Sequence, residues 1–267
     1  MNKKIGFIGC GNMGEAMLNG IIDSFDNSDK IYVFEKNEER QNELKKKYGV
    51  NISSTPLELV NSSEMILVAV KPDIFPLVMD DIRSAVDDTK VIISIAAGVT
   101  IAAIEKGLGD NAKIIRTMPN TPAFVGSGMT SMSPNKNVTS EEAAIAKQIL
   151  EGFGEVEEIP ETLIHSVIGV SGSAPAYVFM FIEAMADAAV LAGMPRNKAY
   201  KFASQAVMGS AKMVLETGMH PGALKDMVCS PGGTTIEAVA ELEKTGFRSS
   251  VISGMRKCME KSKEMSK

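Results

Sequence analysis

Lys4-Ile5-Gly6-Phe7-Ile8-Gly9-Cys10-Gly11-Asn12-Met13-Gly14 is the stretch that decides the fold of this chain. Ile5 to Ile8 predict a short buried strand, and the residues after the turn favour a helix. Between them, Gly9, Gly11 and Gly14 have the G-x-G-x-x-G spacing. In such turns the first glycine permits a tight turn, the second lets a pyrophosphate approach the backbone, and the third lets the helix lie close to the sheet. The stretch therefore predicts a dinucleotide site; the alternative is a strand-turn-helix unit that binds nothing.

The residues that follow this turn support the dinucleotide interpretation. Ile31-Tyr32-Val33-Phe34 form a second apolar run, and it ends in Glu35, 21 residues after Gly14. An acidic residue at the end of the second strand normally accepts a hydrogen bond from the ribose of a dinucleotide. The helix that starts at the glycine turn also offers free N–H groups to the phosphates.

Apolar runs and helical stretches then alternate along the chain. The runs Met65 to Val70, Lys90 to Ile95 and Lys113 to Arg116 predict strands. Helices are predicted near Ile74 to Val86 and from Ile101 to Gly107. This alternation predicts an α/β fold with a doubly wound, mostly parallel sheet. Ligands of such sheets bind outside the carboxyl ends of the strands, so the loops there should face one cleft.

The sheet is predicted to end near residue 160. We expect a strand near Gly128 to Met132, a helix from Glu141 to Glu151 with Thr139 as its N-terminal cap, and a final edge strand over Gly154 to Ile159. Pro160 stops that strand, and the pattern after it is helical throughout. The predicted domains are therefore a dinucleotide-binding domain over residues 1–160 and a helical domain over residues 161–267.

The second half predicts four helices, over Ala176 to Ala192, Asn197 to Thr217, Thr235 to Lys244 and Phe247 to Lys263. Many of their contact residues are small or are methionines, and such a tail is hard to bury alone. Ala184, Ala188 and Ala192, for example, are spaced four apart and would let another helix approach closely. We therefore expect the chain to dimerise through these helices.

Composition restricts the partners and the location. The chain of 267 residues has a net charge of -5 and no basic run longer than Lys45-Lys46-Lys47, which argues against nucleic acid. Its three cysteines are odd in number and lack metal-ligand spacing, so we expect no metal, free thiols and a cytoplasmic location. Thr162 to Ile182 carries no formal charge, but its His165 and Pro175 favour a buried loop and helix start over a membrane span.

A candidate second site lies in Ser230-Pro231-Gly232-Gly233-Thr234-Thr235-Ile236-Glu237. Thr234 and Glu237 have the spacing of a capping box, which places Thr235 in the first turn of a helix. Gly232 and Gly233 would then expose backbone N–H groups that can receive a carboxylate. The alternative is a capped turn between helices with no ligand.

Other candidates are weaker. Gly169 to Pro175 predicts a second loop entering a helix, and the alternative is a plain helix start. His165 lies among apolar neighbours with no nearby carboxylate, and His220 precedes Pro221-Gly222 in a turn. Neither histidine makes a convincing general acid.

Six stretches together resemble pyrroline-5-carboxylate reductase, and the resemblance spans the whole chain. They are Gly6 to Gly14, Ala69 to Pro72, Ser94 to Val99, Arg116 to Pro122, Gly169 to Tyr177, and His220-Pro221-Gly222 through Asp226 to Thr235. The resemblance implies reduction of 1-pyrroline-5-carboxylate to proline by NADPH or NADH, the last step of proline biosynthesis. It also implies an N-terminal Rossmann-type domain and a C-terminal helical domain that interlocks with a partner subunit, often in rings of dimers.

The resemblance also implies the site residues. Cofactor contacts fall on Ile8, Gly9, Cys10, Gly11, Asn12, Met13 and Gly14 at the pyrophosphate, on Glu35 and Lys36 at the adenosine ribose, and on Ala69, Val70, Lys71, Pro72, Ala96 and Ala97 along the rest of the dinucleotide. Substrate contacts fall on Ser230, Gly232, Gly233, Thr234 and Thr235. A protonated cyclic imine is already electrophilic, so its reduction needs positioning more than strong acid catalysis. Our hypothesis gives the catalytic contact to the Thr235 hydroxyl, as a hydrogen bond to the ring nitrogen.

Glu35 is a departure from the NADPH preference of many members of the family. A carboxylate at the end of the second strand would repel a 2′-phosphate. Lys36, Asn37 or Arg40 would instead be able to receive that phosphate. The sequence therefore leaves the coenzyme preference open.

Two other assignments compete with the reductase. A hydroxyacid dehydrogenase of the same two-domain plan needs a lysine in the helical half, but Val178 and Ile182 occupy the lysine and asparagine places of its motif. A nucleotide-binding regulatory protein without turnover would bind a coenzyme and oxidise none.

Overall fold

A computed structural model describes residues 3–25 and 28–266 of the chain. Within these residues eight strands form one sheet. The strands are β1 (Ile5–Ile8), β2 (Ile31–Phe34), β3 (Asn51–Ile52), β4 (Met65–Val68), β5 (Val91–Ser94), β6 (Lys113–Met118), β7 (Gly128–Pro134) and β8 (Gly154–Glu158).

The sheet has the strand order β3-β2-β1-β4-β5-β6-β7-β8. Neighbouring strands are parallel except for β6 and β7, which are antiparallel. The first six strands have the order of a Rossmann-type sheet, with the point of reversal between β1 and β4. The predicted mostly parallel sheet is confirmed, and so is the prediction of the last strand as an edge strand.

Helices cover both faces of this sheet. They are α1 (Asn12–Phe25), α2 (Glu38–Tyr48), α3 (Pro56–Ser62), α4 (Phe75–Ile82), α5 (Ile101–Leu108), α6 (Ser140–Leu150) and the single turn α7 (Ile164–Val167). One core cluster contains buried side chains of α1, α2 and α6, and a second contains those of α3, α4 and α5. The near-continuous apolar strands follow from this arrangement, because both of their faces are buried.

Local signals account for most helix ends. Thr139 and Glu142 form a reciprocal capping box at the start of α6, as the predicted cap requires. Gly49 ends α2 in the left-handed conformation, with φ 69°. The prediction missed α3, although Thr55 caps it and Pro56 occupies its first turn. This helix is only seven residues long, so its periodicity is too short to detect.

The second half contains α8 (Ala174–Leu191), α9 (Arg196–Thr217), α10 (Pro221–Val228), α11 (Thr234–Lys244) and α12 (Phe247–Met265). Four of these match the predicted helices within a few residues. The prediction of a turn at His220 was wrong, because this residue is the N-terminal cap of α10. Its Nδ1 accepts a hydrogen bond from the Gly222 N–H at 3.0 Å.

The contacts within the chain define two compact units. One unit runs to Gly172 and includes the chain from Met259 onward, and the other is Ser173–Cys258. The predicted boundary at residues 160 and 161 therefore falls earlier than the division by contacts. The added segment includes α7, and Ile164 in that turn is a buried residue.

The uncharged stretch around residues 162–182 is helical rather than a loop. The continuous helical run Glu161–Leu191 is long and apolar enough to cross a membrane by length and composition alone, and 6% of its most apolar window is buried. The prediction of a buried loop at this place was therefore wrong, while the predicted helix start is confirmed at Ala174. Within the described residues, the side chains of Phe179, Met180 and Phe181 are exposed.

Candidate functional site

The glycine turn between β1 and α1 has the backbone geometry that the motif predicts. Gly9 has φ 82°, which L side chains rarely adopt, and its N–H donates to the Phe34 carbonyl at 2.8 Å. A Cβ on Gly9 would lie 2.9 Å from the Ala69 carbonyl oxygen, and one on Gly14 would lie 3.0 Å from the Gly9 carbonyl oxygen. The first and third glycines are therefore required by the turn and by close packing.

Gly11 differs from these two glycines. A Cβ added to it would meet no atom within 4 Å. The space beside its backbone is open, and α1 begins at the next residue, Asn12. An open glycine at a helix N-terminus leaves room for a phosphate against free N–H groups. The residues of this turn therefore fit the pyrophosphate of a dinucleotide.

A cleft of about 550 Å³ lies beside the glycine turn at the carboxyl ends of β1, β2 and β4. It brings together eight of the predicted cofactor residues: Ile8, Gly9, Gly11, Glu35, Lys36, Ala69, Val70 and Lys71. This is the edge at which parallel sheets bind ligands, at the point where the strand order reverses.

Seven predicted cofactor residues lie outside the lining of this cleft: Cys10, Asn12, Met13, Gly14, Pro72, Ala96 and Ala97. The cleft in turn contains residues that the sequence analysis missed: Phe34, Pro56, Ile74, Leu77, Val78 and Asp81. Ile74, Leu77 and Val78 have helical spacing at the start of α4, so the sequence predicts their helix but not its place beside the cleft. Leu77 is 62% exposed, so the cleft has an uncovered apolar wall.

Cys10 faces the core, and only its backbone is turned toward the site. Its side chain is buried, and this burial raises the pKa of the thiol to about 12. Its N–H donates to Glu35 Oε2 at 2.9 Å. The Asn37 N–H reaches the other oxygen of the same carboxylate at 3.3 Å. Glu35 is thus held at the end of β2 by two backbone groups.

Asn37 and Arg40, which follow Glu35 in the chain, already have hydrogen-bond or ion-pair partners. Asn37 is the N-terminal cap of α2, and its side chain accepts from the Arg40 N–H at 3.0 Å. Arg40 forms an ion pair with Glu15 of α1 and a second with Glu43, the latter at 3.1 Å. Glu15 also accepts from Lys47 at 3.0 Å and from the Tyr48 hydroxyl at 2.9 Å. These contacts join α1 to α2.

We expect Glu15 to make a pH-dependent contribution to stability. Partial burial by itself raises the pKa of Glu15, but hydrogen bonds from Arg40, Lys47 and Tyr48 outweigh it and hold the pKa at about 2. Because the folded pKa lies below the unfolded one, this contribution is complete above about pH 4.5 and is lost as the pH falls toward 2. Glu15→Gln should lower the free energy of unfolding by roughly 2 kcal/mol at pH 7 and flatten its decline in acid.

Urea unfolding of the wild type and of Glu15→Gln from pH 7 to 3 measures this effect. Glu39→Gln, on the exposed side of α2, is the matched control and should change stability by less than about 0.5 kcal/mol. Equal acid sensitivity of the wild type and Glu15→Gln would contradict the assignment.

The candidate substrate segment connects α10 to α11. Gly232 has φ 67°, and the Gly233 N–H donates to the Ser230 carbonyl at 3.0 Å. Gly233 is the N-terminal cap of α11, and no side chain caps it. The predicted capping box of Thr234 and Glu237 was therefore wrong, because the helix starts one residue earlier than that motif requires. Thr235 does lie in the first turn, as predicted, and the first N–H groups of the helix have no intrahelical partners.

The Gly169 to Pro175 segment is helical and not a loop. Ile168–Gly172 forms a π-helix, and α8 starts at Ala174. Asn120 anchors this π-helix, because its Nδ2 lies 3.2 Å from both the carbonyl and the hydroxyl oxygen of Ser171. Its Oδ1 accepts from the Met129 N–H at 2.9 Å, so the buried amide is fully used.

His165 has a structural environment. Its Nδ1 lies 2.8 Å from the hydroxyl of Ser262 in α12. Burial and then the charges of Arg116 and Lys263 lower its pKa, while Glu161 opposes them. The expectation of no carboxylate near His165 was therefore wrong. A lowered pKa favours the neutral imidazole, which suits a hydrogen-bonding role better than acid catalysis.

Metal ligands do not gather in the described part of the chain. Within residues 3–25 and 28–266, no group of three or more His, Cys, Asp or Glu residues is placed to hold a metal ion.

Both halves of the chain match models of known protein families. A family model described as pyrroline-5-carboxylate reductase dimerisation matches residues 161–265, and one described as NADP oxidoreductase, coenzyme F420-dependent, matches residues 4–98. A pyrroline-5-carboxylate reductase of Escherichia coli (strain K12) is 58% identical over 268 residues, with 100% of both chains covered. The chain belongs to the pyrroline-5-carboxylate reductase family.

Solved structures of the family have the same fold. A pyrroline-5-carboxylate reductase from Coxiella burnetii superposes with a TM-score of 0.95 at 32% identity, covering 100% of both chains. The Plasmodium falciparum pyrroline carboxylate reductase, solved with NADP bound, has a TM-score of 0.89 at 34% identity and covers 100% of this chain and 99% of its own. The match to the dimerisation family model starts at residue 161, the residue at which the sequence analysis begins the helical domain.

Membership of the pyrroline-5-carboxylate reductase family decides between the assignments that the sequence left in competition. A hydroxyacid dehydrogenase would need a lysine in the helical half, and none occurs from Thr162 to Pro195. The description of the matching family model contains both a reductase and dimerisation. The dinucleotide cleft beside β1 agrees with the reductase, and the exposed apolar helices of the second half agree with dimerisation.

Proposed function

We propose that this protein reduces 1-pyrroline-5-carboxylate to proline with NADPH or NADH, as the last step of proline biosynthesis. The observation that carries the proposal is the 58% identity to a pyrroline-5-carboxylate reductase across the full length of both chains. The open backbone at Gly11 and the cleft beside it support the coenzyme half of the reaction. The reduced nicotinamide, when bound, supplies the hydride.

The chain's own residues would hold the coenzyme from four strand ends. The backbone from Ile8 to Gly14 receives the pyrophosphate, and Glu35 with Lys36 lies at the adenosine ribose. Ala69 to Pro72, together with Ala96 and Ala97, receives the rest of the dinucleotide. Their positions at the carboxyl ends of β1, β2, β4 and β5 support these roles.

The α10–α11 segment would hold the substrate. Ser230, Gly232, Gly233 and Thr234 receive the carboxylate at the N-terminus of α11, where the helix dipole favours an anion. The absent side chain of Gly233 leaves room for the Ser230 hydroxyl, since a Cβ there would lie 2.3 Å from Ser230 Oγ. Thr235, in the same first turn, then places its hydroxyl at the ring nitrogen.

Thr235→Ala should lower kcat/KM for the imine. The corresponding loss of transition-state stabilisation should equal one hydrogen bond to a charged group, about 1–3 kcal/mol. The effect should appear in kcat as well as in KM, because the bond orients the imine for reduction. Steady-state kinetics with purified wild type and variant measure both constants. Unchanged kcat/KM would remove Thr235 from the site.

Thr235→Ser is the matched control, because it keeps the hydroxyl and loses only a methyl group. It should retain most of the activity that Thr235→Ala loses. Coenzyme affinity should stay the same in both variants, since neither changes the cleft beside β1. Equal losses in the serine and alanine variants would indicate a packing role instead.

The helical half supports a homo-oligomer. In Ser173–Cys258, where every residue is described, the buried apolar side chains are only Ala186, Ala199 and Ala203. Phe179 is 63% exposed and Leu191 is 90% exposed. Exposed apolar surface of this extent indicates an interaction site. A second copy of the helical half would cover it, with rings of dimers as the higher assembly and the helical domain beginning at residue 161.

A cytoplasmic location remains part of the proposal. Cys10, Cys229 and Cys258 form no disulfide with one another, which suits a reducing compartment. We propose protein rather than lipid as the cover of the apolar helices. His165, Ser171 and Pro175 interrupt the apolar run and would be costly in a bilayer.

The proposed reaction is tested by the loss of the reduced coenzyme's near-ultraviolet absorbance on addition of 1-pyrroline-5-carboxylate. NADPH and NADH are assayed separately with the full chain, and proline formation is measured in the same samples. Equimolar coenzyme oxidation and proline formation support the reductase. Folded protein that binds a coenzyme but oxidises neither one would favour a regulatory role.

A further inference from the structure

We infer that Glu35 makes this protein selective for NADH over NADPH, because its carboxylate is fixed without a compensating cation where the adenosine ribose binds. The inference rests on the proposed function and names the coenzyme of that same site. It concerns a choice that neither the family nor the cleft shape decides, since both coenzymes share every group except the 2′-phosphate.

Glu35 is fixed in place by the backbone. The N–H groups of Cys10 and Asn37 donate to its two carboxylate oxygens at 2.9 and 3.3 Å. Gln41 Nε2 donates to its backbone carbonyl, which ties the end of β2 to α2. A carboxylate with two fixed donors can still accept a hydrogen bond from a ribose hydroxyl. It cannot turn away from a phosphate without losing those bonds.

Arg40 lies in the first turn of α2, and its guanidinium group does not offset the negative charge of Glu35. Its two terminal nitrogens pair with Glu15 and Glu43. Glu15 is shared further with Lys47 and Tyr48, so releasing Arg40 would break a network that joins two helices. A 2′-phosphate would therefore meet a cation whose charge is already neutralised. Asn37 is likewise used as the cap of α2.

Lys36 follows Glu35 in the chain and lines the same cleft. Its side chain is exposed, and it forms no ion pair within residues 3–25 and 28–266. Exposed lysine pairs contribute little, because water screens the charge and the long side chain loses freedom on binding. Glu35 is half-buried and rigid, so like-charge repulsion at this carboxylate outweighs attraction to Lys36. The result is selectivity for the coenzyme without the 2′-phosphate.

Isothermal titration of the full chain with NADH and with NADPH, without substrate, tests the inference. We expect NADH to bind at least about tenfold more tightly. Glu35→Gln keeps an oxygen that can accept the Cys10 N–H but removes the charge, so the ratio of the two dissociation constants should move at least about tenfold toward NADPH. Glu38→Gln, an exposed carboxylate on α2 outside the cleft lining, is the matched control and should leave the ratio within about twofold.

A salt titration of the wild type gives a second measurement that needs no variant. Raising the salt concentration screens repulsion, so the preference for NADH should shrink as salt rises. The inference is overturned if the wild type prefers NADPH. It is also overturned if Glu35→Gln leaves the ratio of the two dissociation constants unchanged. A protein that binds NADH selectively but reduces no imine overturns the proposed reaction and leaves this inference standing. Imine reduction with NADPH as the preferred coenzyme overturns this inference and leaves the proposed reaction standing.

Discussion

Gly11→Val is expected to weaken coenzyme binding at least about a hundredfold, or about 2.8 kcal/mol, while the fold keeps its stability. The reason is the contrast between Gly11 and its neighbours in the motif. A Cβ at Gly11 meets nothing within 4 Å, so the folded chain has room for a side chain. That room is the space that a pyrophosphate needs against the N-terminus of α1. Titration calorimetry gives the affinity, and urea unfolding without ligand gives the stability.

Gly20→Ala is the reciprocal control. Gly20 lies on α1 beyond the cleft, and a Cβ there would lie 2.6 Å from the Gly152 carbonyl oxygen and 2.7 Å from Phe153 Cβ. Neither neighbour is the end of a flexible side chain, so this substitution should cost about 1–3 kcal/mol of stability. Its coenzyme affinity, measured at a temperature where it stays folded, should match the wild type. Unimpaired binding by Gly11→Val would refute the assigned role of the glycine turn.

Glu161→Ala is expected to lower the free energy of unfolding by about 3 kcal/mol. Arg116 lies on β6 with a side chain only 4% exposed, and its Nη1 is 2.8 Å from Glu161 Oε1. The same carboxylate oxygen accepts from the Ile101 N–H at 2.8 Å, at the start of α5. Removing it leaves a buried guanidinium without its anion, and an uncompensated buried charge is costly. Urea unfolding at neutral pH measures the loss.

Two comparisons separate this effect from general surface sensitivity. Glu241→Ala removes an exposed partner of Lys244, where both side chains are more than 60% exposed, and should cost less than about 0.5 kcal/mol. Arg116→Met combined with Glu161→Ala removes both charges and should be more stable than Glu161→Ala alone. A Glu161→Ala variant as stable as the Glu241→Ala variant would rule out the proposed role of the buried pair.

The sheet was predictable because its signals are local and its strands are buried on both faces. Apolar runs such as Ile31 to Phe34 have few alternatives to a covered strand, and the glycine motif supplies the turn and the first helix. Short elements were not predictable. The strand Asn51–Ile52 has two residues, and the turn Ile164–Val167 has four, so neither has a period to detect.

The candidate site was predicted better at its backbone groups than at its side chains. The glycine turn lies where its motif places it, and Thr235 lies in the first turn of α11 as predicted. The capping box at Thr234 was wrong, because spacing alone does not determine which residue has helical dihedrals first. The apolar wall of Leu77 and its neighbours was missed, because a helix start near a cleft looks the same in sequence as any amphipathic helix.

By itself, the sequence determined the parallel sheet, the position of the dinucleotide turn, the helical second half and the family resemblance, since each depends on residues close together in the chain. Tertiary structure alone decided which charges beside Glu35 are available. Arg40 and Asn37 lie within five residues of Glu35 in the chain, but Glu15 engages Arg40 and the cap of α2 engages Asn37. The Arg40–Glu15 pair joins residues 25 positions apart, and local patterns carry no information about it. The charge at a binding site is set by the pairs that the fold completes, and only the folded chain shows them.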